Sequence, residues 1–351
     1  MKRRVAILLV IAALLAVLAF DAAVKGGVFV KIEPHFAGTC ESLPLPGSAE
    51  DIQIDRAAGF AYLSVLDRRA VLAGQDVHGT ILKVDLNVES LGAVAGVANA
   101  PPDFRPHGLS LYTTDDGSQQ LFAISHPAGK PHTVEIFERG ADGLFAHLET
   151  LHNPLLVNPN AIVAVGPRQF YVANYSGRPR GMARFFEIYF RRALSEIVYF
   201  DGDAMRAVDE PIALGTGIAA SADRGRIYVS EASARRLRVY ARDSETGDLA
   251  LVEYVDIKAT GDNLNVAEDG GIWIAAHPKP YRLLKHVQDP AIEAPTQILR
   301  VAADPQAENR VTEVYLDDGD EISAGTVAAV LGQRLLIGSL TDHKILVCQL
   351  P

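Results

Sequence analysis

Gly59-Phe60-Ala61-Tyr62-Leu63-Ser64 reads as a short apolar strand. It opens on a turn residue, runs through aromatic and aliphatic side chains, and closes on a small polar one. The pattern returns at Gln120-Leu121-Phe122-Ala123-Ile124-Ser125, Gln169-Phe170-Tyr171-Val172-Ala173-Asn174 and Arg226-Ile227-Tyr228-Val229-Ser230-Glu231. It returns again at Gly271-Ile272-Trp273-Ile274-Ala275-Ala276 and Arg334-Leu335-Leu336-Ile337-Gly338-Ser339. Successive copies lie 45 to 63 residues apart, the spacing of propeller blades. A stretch of alternating polarity follows each copy, at 80–86, 133–138, 196–200, 236–241, 297–301 and 344–350. A short apolar stretch precedes each, beginning at Ile52, Leu109, Ile162, Ile218, Leu264 and Val327. Six units of three or more strands predict an all-β fold, a six-bladed β-propeller over 40–351. Ahead of it lie an N-terminal hydrophobic segment at 1–24 and a linker at 25–39. The chain ends inside the sixth unit, so a strand from the N-terminal side must complete that blade.

The composition agrees. Of 351 residues, 48% are hydrophobic and 22% charged, enough for a large core and unlike a disordered chain. Asp plus Glu outnumber Lys plus Arg by 43 to 33, a formal charge of −10. That argues against a nucleic-acid partner, which needs a basic stripe, and permits cation sites. Two cysteines exclude both a disulfide-rich scaffold and a cysteine-built zinc or iron–sulfur centre.

Lys2, Arg3 and Arg4 precede an unbroken apolar run from Val5 to Phe20. A positive start before a short apolar run is the pattern of a signal peptide. No clean small-residue cleavage site follows in Ala19-Phe20-Asp21-Ala22-Ala23, so an uncleaved signal anchor fits at least as well, extended past Asp21 by Ala22 to Val24. A buried core helix is the third reading, and nothing polar marks an inner and an outer face for it. Either of the first two predicts export, with the propeller outside the cytoplasm, periplasmic or extracellular. There the cysteines meet an oxidising environment. Cys40 and Cys348 sit near the two ends of the propeller. They are either two separate buried thiols or a bridge that closes the sixth blade, and the closure argument favours the bridge.

In a propeller the innermost strand of each blade lines the central channel. The residues just before the six predicted inner strands are Glu50-Asp51, His107-Gly108, Asn160-Ala161, Thr216-Gly217, Asp262-Asn263 and Gly325-Thr326. Asn, Asp and Gly are also turn residues. Yet carboxylates, carboxamides, hydroxyls and an imidazole converging on one axis form a hard-oxygen ligand set, which suits calcium better than zinc or copper. The second strands return to the same face and end on His126-Pro127 and His277-Pro278. A single histidine there reads as structural. Three at equivalent repeat positions point to proton transfer, with two neighbouring imidazoles able to act as a base and its relay.

These stretches resemble the serum paraoxonase/arylesterase family, calcium-dependent lactonases and esterases on six-bladed propellers. The resemblance runs from about Cys40 to Leu350. It is carried by Ser48-Ala49-Glu50-Asp51-Ile52, Arg105-Pro106-His107-Gly108-Leu109-Ser110, Ser125-His126-Pro127, Asn160 to Pro167, Gly261-Asp262-Asn263, Ala276-His277-Pro278 and Gly325-Thr326-Val327-Ala328. It implies that Glu50, Asn160, Asp262 and Asn263 bind a catalytic calcium, with Thr216 where the family has a further Asn. His107 and His126 would be the dyad that activates water, and His277 and Thr326 would line the substrate pocket. Asp51 and the carbonyl of Leu109 would hold a second, structural calcium. Ala161, which offers no side-chain oxygen, stands where the family has Asp on that ion. Asn174-Tyr175-Ser176 stands where the family carries an acid and a histidine. The family also has a terminal disulfide, here Cys40 with Cys348, and a retained hydrophobic N-terminus. The implied function is calcium-dependent hydrolysis of lactones and of aryl or other carboxylic esters.

Between 178 and 200, Arg178, Arg180, Arg184, Arg191 and Arg192 alternate with Met182, Phe185, Phe186, Ile188, Tyr189, Phe190 and Leu194 at helical spacing. This predicts a helix lying at a membrane surface or lidding the pocket, against the alternative of one packed on the propeller flank. The acidic stretch Asp317-Asp318-Gly319-Asp320-Glu321 reads as a solvated loop. Two rival functions remain: a gluconolactonase or senescence-marker type of propeller hydrolase, which shares the hub metal but not the terminal cysteines, and a non-catalytic exported binding module.

Overall fold

A computed structural model describes residues 2–179, 181–209 and 211–351. It contains six sheets in a ring, antiparallel except where the short strand Val97–Ala98 pairs parallel with Phe145–His152 in blade two. The inner strands are Ser48–Asp55, Pro106–Thr113, Pro159–Gly166, Gly215–Ala220, Thr260–Val266 and Gly325–Leu331, and each contacts the next around the axis. The six repeated motifs are the second strands. Their uninterrupted apolarity has a simple cause, for each blade is covered on both faces. One hydrophobic cluster fills each interface between neighbouring blades. In the first motif Ala61 and Leu63 pack toward blade six, while Tyr62 packs toward blade two.

The polar residues of the hub do not precede the inner strands. They lie within them. Each of the six inner strands shifts register at this level: between Ala49 and Ile52, Pro106 and Leu109, Pro159 and Ala161, Gly215 and Gly217, Gly261 and Leu264, and Gly325 and Val327. A bulge releases one or two residues from the ladder and re-aims their side chains while the strand continues. Neighbouring bulges touch. A Cβ on Gly108 would stand 2.5 Å from the Asn160 carbonyl oxygen, and one on Gly217 would stand 2.3 Å from that of Asp262. Only glycine fits there.

Blade six is completed from the other end of the chain. Thr39–Pro44 pairs with Lys344–Gln349, Cys40 lies opposite Cys348, and the two are disulfide-bonded. The linker is not wholly irregular, since His35–Phe36 adds a fifth strand to blade five beside Val311–Asp317.

Helix α1 (Lys2–Lys25) continues past Asp21, which pairs with Lys25 at 2.8 Å. Among the described residues it is the one helix long and apolar enough to cross a membrane, and its apolar side chains from Val5 on are exposed. Its end docks on the propeller: Tyr281 N–H donates to the Gly26 carbonyl at 3.2 Å, and Arg235 donates to the carbonyl of Lys25. Short helices α2 (Arg68–Leu72), α3 (Met182–Tyr189) and α4 (Pro280–Gln288) follow the second strands of blades one, three and five. In α3, Met182, Phe185, Phe186 and Tyr189 are about half exposed or more, as is the following Phe190. Only Glu187 is buried. The aromatic face therefore looks outward instead of packing on the flank. Arg180 lies outside the described residues. The acidic stretch is solvated only in part: Asp317 is buried and caps its own turn, accepting from the N–H groups of Gly319 and Ile322 at 2.9 and 3.2 Å.

Two expectations follow. The bridge joins residues 308 apart, so replacing both cysteines by alanine is expected to lower stability by roughly 2–5 kcal/mol, read by thermal or urea unfolding. The second concerns buried His286, which donates from Nδ1 to the Ile292 carbonyl and accepts at Nε2 from Thr341 and Arg69, at 2.6 and 2.7 Å. Burial, and after it the Arg69 charge, holds this imidazole below its ordinary value. The fold thus favours the neutral ring, and its contribution is full above about pH 6.5, the unfolded value, and is lost as pH falls through the lower folded value. The gap in unfolding temperature between wild type and His286→Gln should narrow from pH 7.5 to pH 5. A constant gap would show that protonation of His286 is not coupled to folding.

Candidate active site

The six bulges bring their side chains to one end of the axis, where these bond to one another around the ring. From blade two, His107 Nε2 lies 3.1 Å from Asn160 Oδ1 in blade three and 3.5 Å from Glu50 Oε1 in blade one. Asn160 donates through Nδ2 to the Thr216 carbonyl in blade four at 2.6 Å. The Thr216 hydroxyl donates to the Gly261 carbonyl in blade five at 2.8 Å. Asn263 returns to blade one, donating to the Glu50 backbone carbonyl at 3.0 Å and to its Oε1 at 2.9 Å. From blade six, the Thr326 hydroxyl donates to the same carbonyl at 2.8 Å. Each blade contributes a link.

These partners assign protons. Asn160 uses its amide nitrogen on Thr216, so its oxygen faces His107. Both neighbours of His107 Nε2 are acceptors, which places the hydrogen on Nε2 and the lone pair on Nδ1. Burial, reinforced by the charge of Arg68, pushes His107 down to about 3, so the ring is neutral at ordinary pH. His277, buried at the end of the second strand of blade five, has Nε2 3.0 Å from Asp262 Oδ2.

Three buried polar atoms in this ring have no hydrogen-bond partner: Glu50 Oε2, Asn263 Oδ1 and His277 Nδ1. The first two are acceptors. Burial raises Glu50 well above the usual carboxylate range, Asp262 and Asp51 add to the rise, and Arg68 opposes it. A buried acceptor pair left without donors lacks a positive group. Among the described residues no three His, Asp or Glu side chains gather closely enough to hold a metal by themselves. Amide and hydroxyl oxygens would have to contribute.

Asp51 is placed otherwise. Its two carboxylate oxygens accept the N–H groups of Ile52 and Leu109 at 2.8 and 2.7 Å. Burial still raises Asp51 to about 6. Thr326 is buried and turned onto Glu50, while Ser176, in the segment lacking an acid and a histidine, donates to buried Glu187 at 2.9 Å.

Two residues escaped the sequence reading. Arg68, the first residue of α2, is buried and donates to the carbonyls of Ser48 and Pro106 at 3.0 and 2.9 Å. It is the fixed cation beside Glu50 and Asp51, and burial lowers its own value to about 10. An arginine after a strand carries no sequence signal of burial. His132 is the second: its Nδ1 lies 2.8 Å from His126 Nδ1, and the His126 ring lies 4.9 Å from that of His107. Its signal was the run His126-Pro127-Ala128-Gly129-Lys130-Pro131-His132, with a His–Pro at one end and a Pro–His at the other.

A propeller whose inner strands bulge in concert to build one polar site at the hub defines the class: β-propeller proteins with an axial site. Comparison with known proteins narrows it. The family model described as Arylesterase matches residues 57–350. Human serum paraoxonase/arylesterase 1 is 32% identical over 278 residues, 78% of this chain and 77% of that protein. Rat serum paraoxonase/arylesterase 2 is 28% identical, covering 96% of this chain and 98% of its own length. Among solved structures, a regucalcin from Agrobacterium tumefaciens superimposes with a TM-score of 0.51 at 15% identity, over 90% of this chain and 96% of its own; that likeness shows the fold. The chain belongs to the arylesterase (paraoxonase) family and is an ester hydrolase of the arylesterase/lactonase type.

Proposed function

We propose that the protein is a calcium-dependent hydrolase of lactones and of aryl or carboxylic esters, exported and held at a membrane by α1. The unpartnered buried oxygens of Glu50 and Asn263 carry this reading. With Asn160, Thr216 and Asp262 they form an all-oxygen donor set of the kind calcium takes. Glu50, Asn160, Thr216, Asp262 and Asn263 would hold the ion. When bound it supplies polarisation of the ester carbonyl and a positive charge where negative charge develops.

The chain's own groups do the rest. His107, neutral and with Nδ1 as its lone-pair atom, accepts a proton from the attacking water. His126 lies ring-to-ring beside it and shares the charge. The proton returns to the leaving oxygen as the acyl bond breaks. His277, whose Nε2 lies beside Asp262, would line the substrate pocket. A second ion fits less well: both oxygens of Asp51 already accept backbone N–H groups, and Ala161 has none to offer. The proposal is confined to one ion.

Membrane association rests on the placing of α1 and α3. Gly27 packs against the backbone of Pro278, next to His277, so α1 emerges at the end of the propeller that carries the site. The exposed aromatic residues of α3 suit an interface.

The test is calcium titration against a panel of lactones and aryl esters. Asp262→Ala is expected to lose at least 100-fold in calcium-dependent kcat/KM while unfolding at nearly the wild-type temperature. Unchanged activity with unchanged calcium affinity would remove Asp262 from the site. Thr216→Asn brings a carbonyl oxygen on a longer side chain, and calcium should bind about fivefold tighter, on the order of 1 kcal/mol. Weaker binding would show a hub rebuilt around the smaller residue.

A further inference from the structure

Three adjacent strands of blade two end level with one another. Pro106 and Thr133 both stand opposite Ser125 in the register. Beyond that level His126 follows the second strand and His132 precedes the third, while His107 lies one residue inside it, in the bulge of the inner strand. Neighbouring strands lie about 4.8 Å apart, which sets the outer spacing, and the bulge brings the His107 ring in beside His126, so that the rings form a row. Ring centroids are 4.9 Å apart from His107 to His126 and 4.5 Å from His126 to His132. The row runs from the hub toward the rim. Its outer step is closed by a contact of 2.8 Å between the Nδ1 atoms of His126 and His132. The loop between those two is built to hold them. Pro127 and Pro131 sit just inside the two histidines, and Gly129 turns the chain at φ +67°. The His126 N–H is fixed on the Arg105 carbonyl at 3.0 Å, and Lys130 is held by Asp103 at 2.5 Å. Proline restricts a loop of this kind before the rings ever meet.

Two nitrogens 2.8 Å apart need one hydrogen between them. If His126 donates from Nδ1, its Nε2 on the far side of the ring carries the lone pair. If His132 donates, Nε2 of His126 is protonated and cannot take another proton. We propose that His132 is a positioning residue for catalysis: it accepts the Nδ1–H of His126 and so holds His126 in the tautomer whose Nε2 is a base. It does for His126 what a carboxylate does for the base of a hydrolase triad. This inference rests on the His107–His126 reading under Proposed function.

The step balances without any added reagent. Water loses a proton as its oxygen bonds to the carbonyl carbon, and that proton passes to the His107–His126 pair. His126 then carries N–H at both nitrogens, and its bond to the lone pair of His132 becomes charge-assisted and stronger. When the bond to the leaving oxygen breaks, the proton goes to that oxygen and the row returns to its starting state.

Aryl ester hydrolysis by the full-length, calcium-supplemented protein tests this. His132→Leu, which keeps bulk but accepts nothing, is expected to lower kcat roughly 10- to 100-fold with KM within about twofold. His132→Asn, whose amide oxygen can accept the same N–H, is expected to regain most of that loss. Nitrogen-labelled histidine NMR gives a second readout independent of turnover: His126 as the Nδ1–H tautomer in wild type, a preference lost in the Leu variant. Equal impairment of the Leu and Asn variants would mean that ring shape matters and not hydrogen-bond acceptance, and would overturn the proposal. So would a Leu variant with wild-type kcat, or a wild-type His126 in the opposite tautomer. His126→Gln, assayed alongside, separates the two levels. If it keeps wild-type kcat, the dyad reading itself fails. If it is inactive while His132→Leu is not, only the role of His132 falls.

Discussion

The hub is organised by the requirement that every group released from a β-ladder find another partner. Six bulges at one level free backbone and side-chain polar groups that a regular propeller would tie up in its own blades. Those groups bond sideways, blade to blade. Glu50 is the node: its carbonyl takes hydrogen bonds from blades five and six, and its carboxylate faces blades two and five. A ring closed in this way fixes the distances across the axis and leaves a few acceptors unsatisfied inside it. Those unsatisfied acceptors are what the calcium proposal rests on.

The fold was legible because each blade is buried on both faces. Phe60 to Leu63, Phe170 to Ala173 and Ile272 to Ala275 are apolar without interruption, so the repeat stood out from the background. The ring closure was legible too, since a sixth unit lacking its last strand needs one from the N-terminal side. The site was legible at the level of residue type, as polar side chains clustered where apolar strands begin. The bulges were not. Nothing in Ala49-Glu50-Asp51-Ile52 says that two residues leave the ladder, because a bulge is a property of two strands in register and not of one. Arg68 and His132 were missed for related reasons. An arginine becomes an interior cation only when the carbonyls of Ser48 and Pro106 reach it from two blades. A histidine at a strand start becomes a partner of another only through the register that sets Thr133 opposite Ser125.

The electrostatics of the hub follow from dryness. Glu50, Asp51 and Asp262 are like charges brought close, and burial weakens the solvent that would separate them. Arg68 answers part of that charge from behind, with both of its amino groups held by main-chain oxygens. It cannot swing toward a substrate.

The strand that completes blade six has a consequence for how the molecule is made. Thr39–Pro44 is among the first parts of the propeller to be synthesised, and its partner Lys344–Gln349 is among the last. During synthesis the growing ring is an open arc. The apolar surfaces of blades one and five that will face blade six stay uncovered until the end. The early strand must wait unpaired for some three hundred residues, an exposed edge of the kind that invites wrong pairing. Closing the circle is therefore a single late event that joins the beginning of the domain to its end. Until it happens no hub exists, because the Thr326 link to Glu50 belongs to the last blade. The ring of polar links is complete only when the last blade has been made, so a chain that stops short of it cannot assemble the ring.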